Sequence, residues 1–222
     1  MHGYLIPLVA LFEENADPIQ AGPMKKYMRD QFEYLGIKSP QFKALFKDFV
    51  QEHGLPAVSD LGPIVHDLWG LPQREFQYLA VGLTGRLGNQ LPPESIETIE
   101  TMLTHKSWWD TVDSIASEIV GNHFRRFPEV REKHLSRWRH SGNFWLRRTT
   151  LLFQLGYKKD TDFDLLCELI RENLDSKEFF INKAIGWSLR QYARVDPKAV
   201  KGFVKATPLN PLSRREAMKH LE

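Results

Sequence analysis

Asp113 stands four residues after Trp109 in "KSWWDTVDSI", Arg148 three after Trp145 in "NFWLRRTT", and Trp187 seven after Phe180 in "EFFINKAIGW". Offsets of three, four and seven fall on one helical face. If the three segments are helices lying side by side, a carboxylate, a guanidinium and two indoles therefore converge on one spot. Such a set suits a cation beside a phosphate, with the indoles holding the cation and Arg148 the anion. The same spacing equally allows a plain ion pair between Asp113 and Arg148, tying neighbouring elements together without any chemistry.

The argument needs helices, and the hydrophobic pattern supplies them. Apolar residues recur at steps of three and four almost throughout, and Pro- and Gly-bearing clusters such as "ADPIQAGP", "LGIKSP", "EHGLP", "LGNQLPPES" and "RVDPKAV" fall between the periodic segments. No convincing strand pattern occurs. Ser107 with Asp110, Asp175 with Glu178, and Ser213 with Glu216 each pair a cap residue with a carboxylate three positions on, and each is expected to open a helix. An aromatic early in a helix recurs at Phe76, Trp109, Trp145 and Phe180, at intervals of 33, 36 and 35 residues, and Arg215 continues the series after another 35. That is the period of stacked helix pairs whose concave face binds a partner. The expected fold is all-α, a curved solenoid of HEAT-like antiparallel helix pairs forming one domain over residues 1–222.

Faces follow from the periodicity. Trp108, Val112, Ile115 and Ile119 form an apolar stripe and are assigned to the core, while Trp109, Asp113 and Ala116 occupy the next stripe. After Ser176, Ile181, Ile185, Leu189 and Tyr192 make the aliphatic stripe, and Phe180, Lys183, Trp187, Arg190 and Arg194 an aromatic and basic one. The second stripe is either core or, given its cations, an exposed groove. At least one of Phe179 and Phe180 is expected to pack inside. Cys167, in "FDLLCELI", belongs on an apolar stripe.

Composition bounds the remaining possibilities. A chain of 222 residues, 42% apolar and 26% charged, is long enough to bury a core. One cysteine excludes a disulfide framework, and the eight histidines show no ligand spacing, so neither a metal site nor a cofactor is expected. The opening "MHGYLIPLVALF" lacks a basic n-region and reads as a first helix, and no run of about 18 apolar residues suggests a membrane span. The net charge of +2 conceals an asymmetry: residues 1–120 hold 9 Lys and Arg against 16 Asp and Glu, residues 121–222 hold 21 against 12. The stretch 125–148, "RRFPEVREKHLSRWRHSGNFWLRR", interleaves seven arginines with aromatics, which fits either a polyanion-binding surface or a solvated helix face.

The segments "KSWWDTVDSI", "LRRTTLLFQLGYKK", "SKEFFINKAIGWSLRQYA" and "LSRREAMKHL", with the early "MKKYM" and "FEYLGIKSP", closely resemble the AlkD family of alkylpurine DNA glycosylases, in order and spacing over essentially the whole chain. The resemblance implies a right-handed stack of HEAT-like repeats cradling duplex DNA. It also implies a monofunctional hydrolase that removes N3- and N7-alkylated purines in base excision repair, from the backbone side and without flipping the base. It gives Asp113 the catalytic role, with Trp109 and Trp187 beside it in the groove. Tyr27 and Arg148 would contact DNA; Lys106, Ser107, Lys183 and Arg190 are further candidate DNA contacts of this sequence. A subgroup lacking the catalytic carboxylate is set aside by the presence of Asp113, and Lys38 and Lys43 fall in a DNA-contacting region. The expected partner is double-stranded DNA bearing alkylated purines, bound by a cytoplasmic monomer that needs no protein partner. The alternative is a non-catalytic HEAT-like module that recognises DNA structure or a protein with the same concave face.

Overall fold

The computed structural model describes residues 1–221, and among them every regular element is helical. The sole strand-like feature among the described residues is an isolated bridge between Glu33 and Gln73. The helices cluster into two compact units, Met1–Thr98 and Ile99–Glu222; Glu222 lies outside the described residues. Among the described residues no helix is long and apolar enough to cross a membrane.

The first unit contains α1 (Leu5–Glu14), α2 (Pro18–Tyr27), α3 (Ser39–His53), α4 (Leu61–Gly70) and α5 (Arg74–Leu87). The expected first helix is therefore α1, and it buries Leu5, Leu8, Val9 and Phe12. Phe76, the first aromatic of the repeating series, is wholly buried in α5. Its neighbour Glu75 is buried as well. That carboxylate accepts from the backbone N–H groups of Leu35, Gly36 and Ile37, at 3.0, 3.0 and 3.2 Å, and so fixes the connection that leads into α3. By contrast α2 buries none of its residues.

α6 (Ile96–Thr104) leads into the second unit, which continues with α7 (Trp109–Ser114), a π-helical segment (Ile115–Val120), α8 (Gly121–Arg126), α9 (Pro128–Trp138), α10 (Phe144–Leu152), α11 (Phe163–Arg171), α12 (Phe179–Tyr192), α13 (Pro197–Ala206) and α14 (Pro211–Met218). Trp109, Trp145, Phe180 and Arg215 fall in α7, α10, α12 and α14, so from α10 onward the period read from sequence marks every second helix. α10 packs on α12 and α12 on α14. Ile181, Ile185 and Leu189 of the expected α12 stripe are buried while Tyr192 at its end is only half-buried, and Cys167 is buried in α11.

The three expected caps are not the ones used. α7 starts at Trp109, and Ser107 donates its hydroxyl to the Leu103 carbonyl at 2.7 Å instead of capping. α12 starts at Phe179, four residues after Asp175. α14 starts two residues before Ser213, whose buried hydroxyl bonds the Asn182 carbonyl at 2.9 Å. The working caps are Asp17, Asp196 and Asn210, each followed by proline at the first helical position, together with Asn143 and Asp162. Proline there forfeits only an N–H that has no helical acceptor, and its fixed φ suits the first turn.

Candidate active site

Four layers of the second unit deliver side chains to one open cleft of about 270 Å³. Trp109 and Asp113 come from α7 and Arg148 from α10. α12 supplies Phe179, Phe180, Lys183, Trp187 and Arg190, and α14 supplies Glu216. The convergence inferred from the three offsets is thus real for Trp109, Asp113, Arg148 and Trp187.

Asp113 reaches the cleft because its helix changes pitch just beyond it. In an unbroken α-helix Asp113 would share a stripe with Val120 and Phe124, seven and eleven residues on, and both of those are buried. The π-helical segment, with its longer hydrogen-bond spacing, breaks that phase. The downstream apolar residues stay in the core while the carboxylate turns outward. Gly121 follows the π segment where a Cβ would lie 2.5 Å from the Phe153 carbonyl, and the Tyr157 hydroxyl donates to the Gly121 carbonyl at 2.6 Å.

Of the two arrangements that the spacing allows, the Asp113–Arg148 ion pair is formed. Arg148 Nε donates to Asp113 Oδ1 at 2.7 Å and Nη2 to Oδ2 at 2.9 Å, a planar two-point contact that fixes both position and tilt of the carboxylate. Nη1 donates to the Phe180 carbonyl. The arginine side chain is 4% exposed and the aspartate 18%. In the free protein the Arg148 guanidinium is turned to Asp113 and the α12 backbone, the ion-pair arrangement of the two that the spacing allows. Burial pushes the Asp113 carboxyl above its ordinary range, the hydrogen bonds and charge of Arg148 pull it back, and nearby Asp110 adds a smaller upward push. The net direction is upward.

The wall behind the pair is aromatic. Phe180 lies 5.2 Å from Trp108 and 4.9 Å from Trp145 between ring centroids, and the Arg148 guanidinium sits 5.8 Å from the Phe180 centroid. Phe180 is therefore the member of its pair that packs, and Phe179 is 54% exposed at the rim. Trp108 was assigned to the core; it is half-buried, just ahead of α7 in extended backbone, and adds its ring to this wall. Trp109 and Trp187 are half-buried and face the cleft.

Lys183 and Arg190 lie on the cleft as the stripe predicted, and both are held by Glu216. Lys183 Nζ donates to Oε1 at 2.9 Å and Arg190 Nη1 to Oε2 at 2.5 Å. The two cations hold the Glu216 carboxyl well below its usual range, at about 2. Glu216 did not stand out as a site residue because its spacing from Ser213 reads as a helix cap. The available signal was that two cations on one stripe of α12 need an anion from the next layer.

The remaining expected DNA contacts lie elsewhere. Lys106 is exposed in left-handed backbone at φ 47°, in the connection between α6 and α7, next to Ser107; neither lines the cleft. Tyr27 belongs to the first unit, 73% exposed at the end of α2.

The family model described as "DNA alkylation repair enzyme" matches residues 8–221 of the chain. Among solved structures, one described as "Predicted DNA alkylation repair enzyme from Enterococcus faecalis" is similar with a TM-score of 0.85 and 33% sequence identity, over 93% of this chain and 96% of its own. No curated protein matches significantly.

Proposed function

Since the chain belongs to the DNA alkylation repair enzyme family, we propose that it is a monofunctional glycosylase of the AlkD type, hydrolysing the N-glycosidic bond of cationic N3- and N7-alkylated purines in duplex DNA. The observation that carries this reading is the Asp113 carboxylate, fixed at two points by Arg148 in an open cleft that also presents Trp109 and Trp187.

The chemistry needs little more. An N3- or N7-alkylated purine is already a cation, so when the bond from C1′ to the base breaks, the electron pair neutralises the leaving base and no general acid is required. Positive charge develops on the deoxyribose. Asp113 stabilises that charge and orients a water molecule toward C1′, where the water oxygen forms the new bond and passes its proton to the Asp113 carboxylate, from which it is lost to solvent. Trp109 and Trp187 pack against the sugar and favour its cationic form. Arg148 is a positioning residue: it holds the carboxylate without being the group that meets the sugar. Lys183 is tied to Glu216 by a 2.9 Å hydrogen bond, which suits a mechanism with water as nucleophile and no Schiff base. An open cleft, in place of a deep base-sized pocket, fits attack from the backbone side with the base left stacked; most base-excising enzymes extrude it.

The experiment is to incubate the protein with duplex DNA carrying N7-methylguanine or N3-methyladenine and to measure free base chromatographically. Release of the methylated base, with the strand left intact at an abasic site, is the expected result. Binding without release would instead favour a non-catalytic DNA-recognition module, with the Asp113–Arg148 pair as a purely structural link between α7 and α10.

A further inference from the structure

Glu216 is charged and lines the cleft, yet the proposed mechanism gives it no role. Its helix is built to bring it there. At Gly186 on α12 a Cβ would lie 2.4 Å from the Glu216 Cβ, so only glycine allows α14 this close. Gly186 sits between Lys183 and Arg190, three residues after one and four before the other, which sets both cations around the approaching carboxylate. The helix does not need that carboxylate for anchorage, because Ser213 already bonds the Asn182 carbonyl at 2.9 Å and the Asn182 side-chain oxygen at 3.2 Å, fully buried.

Two cations on one carboxylate, each through a short charge-assisted bond, reproduce what a phosphodiester would offer them. With side chains 38% and 23% exposed, Lys183 and Arg190 still face solvent and can be reached by a DNA backbone. We infer that Glu216 is a specificity-determining residue that acts as an internal stand-in for phosphate, competing with DNA for Lys183 and Arg190. This rests on the glycosylase reading for its biological sense, though not for its binding consequences. The carboxylate stays ionised down to about pH 2, so the competition operates at any pH at which the protein works. Undamaged duplex must displace Glu216 before it gains these two contacts, which keeps non-specific binding weak. Once a phosphate does take the cations, the released carboxylate stands in the same cleft as Asp113, where added negative charge favours a developing sugar cation.

The test is Glu216→Gln, which keeps shape and removes charge. Binding of an undamaged duplex is followed by fluorescence anisotropy across a salt series, and base release from a methylated duplex by single-turnover kinetics at saturating enzyme. Expected are tighter low-salt binding, a log-log salt slope steeper by about 0.9 for each cation released, and base release slower by on the order of tenfold. In a Lys183→Gln background the steepening from Glu216→Gln should halve, because only Arg190 remains to be freed. Glu216→Asp, which retains the charge, should keep the slope near that of the parent protein, and thermal melts identify any variant that fails to fold. Weaker binding, or an unchanged salt slope in folded Glu216→Gln protein, overturns the inference and makes Glu216 a brace for its two cations. If the slope steepens but even the parent protein releases no base, the competition stands and the glycosylase reading falls.

Discussion

Arg148→Ala removes a guanidinium that makes two bonds to Asp113 and one to the Phe180 carbonyl, and it leaves the carboxylate in a site that already disfavours its charge. Breaking a buried pair by deleting one partner costs about 3 to 5 kcal/mol. The low end applies here because Asp113 keeps 18% of its side chain in contact with solvent. For a protein of this size about 3 kcal/mol corresponds to a loss of roughly 6–12 °C in melting temperature. The deficit should depend on pH with a definite sign. Without Arg148 the Asp113 pKa rises further above the unfolded value of about 3.9. Between those two values the folded state binds more protons than the unfolded one, so stability falls as pH rises through the window. The variant's deficit should thus be largest near neutral pH and shrink as pH falls toward the ordinary carboxylate range. Base release should drop by roughly two orders of magnitude, since a carboxylate free to swing no longer supports the sugar cation in a fixed place. Arg148→Lys should recover part of the stability and little of the rate, because an ammonium supplies charge without the planar two-point contact. Melting curves at pH 5, 6 and 7.5, with single-turnover rates, measure all of this. A variant as stable and active as the parent at pH 7.5, or one whose deficit is the same at every pH, would refute the idea that this pair positions Asp113.

Other outcomes follow from the same geometry. Asp113→Asn keeps shape and an acceptor for Arg148, so DNA affinity should change little in anisotropy titrations while single-turnover release falls by roughly two orders of magnitude, about 2.7 kcal/mol of lost electrostatic stabilisation. In the parent protein the rate should decline on the acid side with a midpoint above the ordinary aspartate value of 3.8, because burial raises the Asp113 carboxyl and only its ionised form acts; a midpoint below that value in a pH–rate profile would contradict the assignment. Trp109→Ala should slow excision with little loss of melting temperature, whereas Trp108→Ala should chiefly destabilise, by about 3 kcal/mol, the low end for a large aromatic because Trp108 is only half-buried. Gly121→Ala would force a methyl to 2.5 Å from the Phe153 carbonyl, so the π segment must shift, and melts should show a loss of about 1–3 kcal/mol.

The helical layers were legible because burial repeats along the chain. A residue that must face the core at every turn writes a three-and-four pattern, and the 33- to 36-residue spacing of Phe76, Trp109, Trp145 and Phe180 repeats it from layer to layer. The starting points were less legible. A serine followed by a carboxylate three residues on matches a capping pattern whether or not the chain begins a helix there, and in α14 packing against α12 spends both Ser213 and Glu216 on other partners. The dependable signal lay in Asp17–Pro18, Asp196–Pro197 and Asn210–Pro211, where a cap acceptor and a preset φ act together. Read only as interruptions, those pairs conceal the helices that they begin.

The cleft separates what spacing along one helix can reveal from what only contact between layers can. Trp109 with Asp113, and Lys183 with Trp187 and Arg190, are neighbours on a single helical face, and a period of 3.6 suffices to group them. Whether Arg148 meets DNA or Asp113 depends on how far α10 stands from α7, and spacing carries no such distance; 2.7 and 2.9 Å do. Trp108 erred for a related reason, since a stripe drawn from it assumes that the helix already includes it, whereas α7 begins one residue later. Asp113 itself is the subtler case. Its stripe was drawn with a constant helical step, and a constant step through residues 115–120 would have aligned the carboxylate with Val120 and Phe124 in the core. The side chain proposed to do the chemistry faces the cleft because the π segment departs from the very regularity that made the rest of the helix readable.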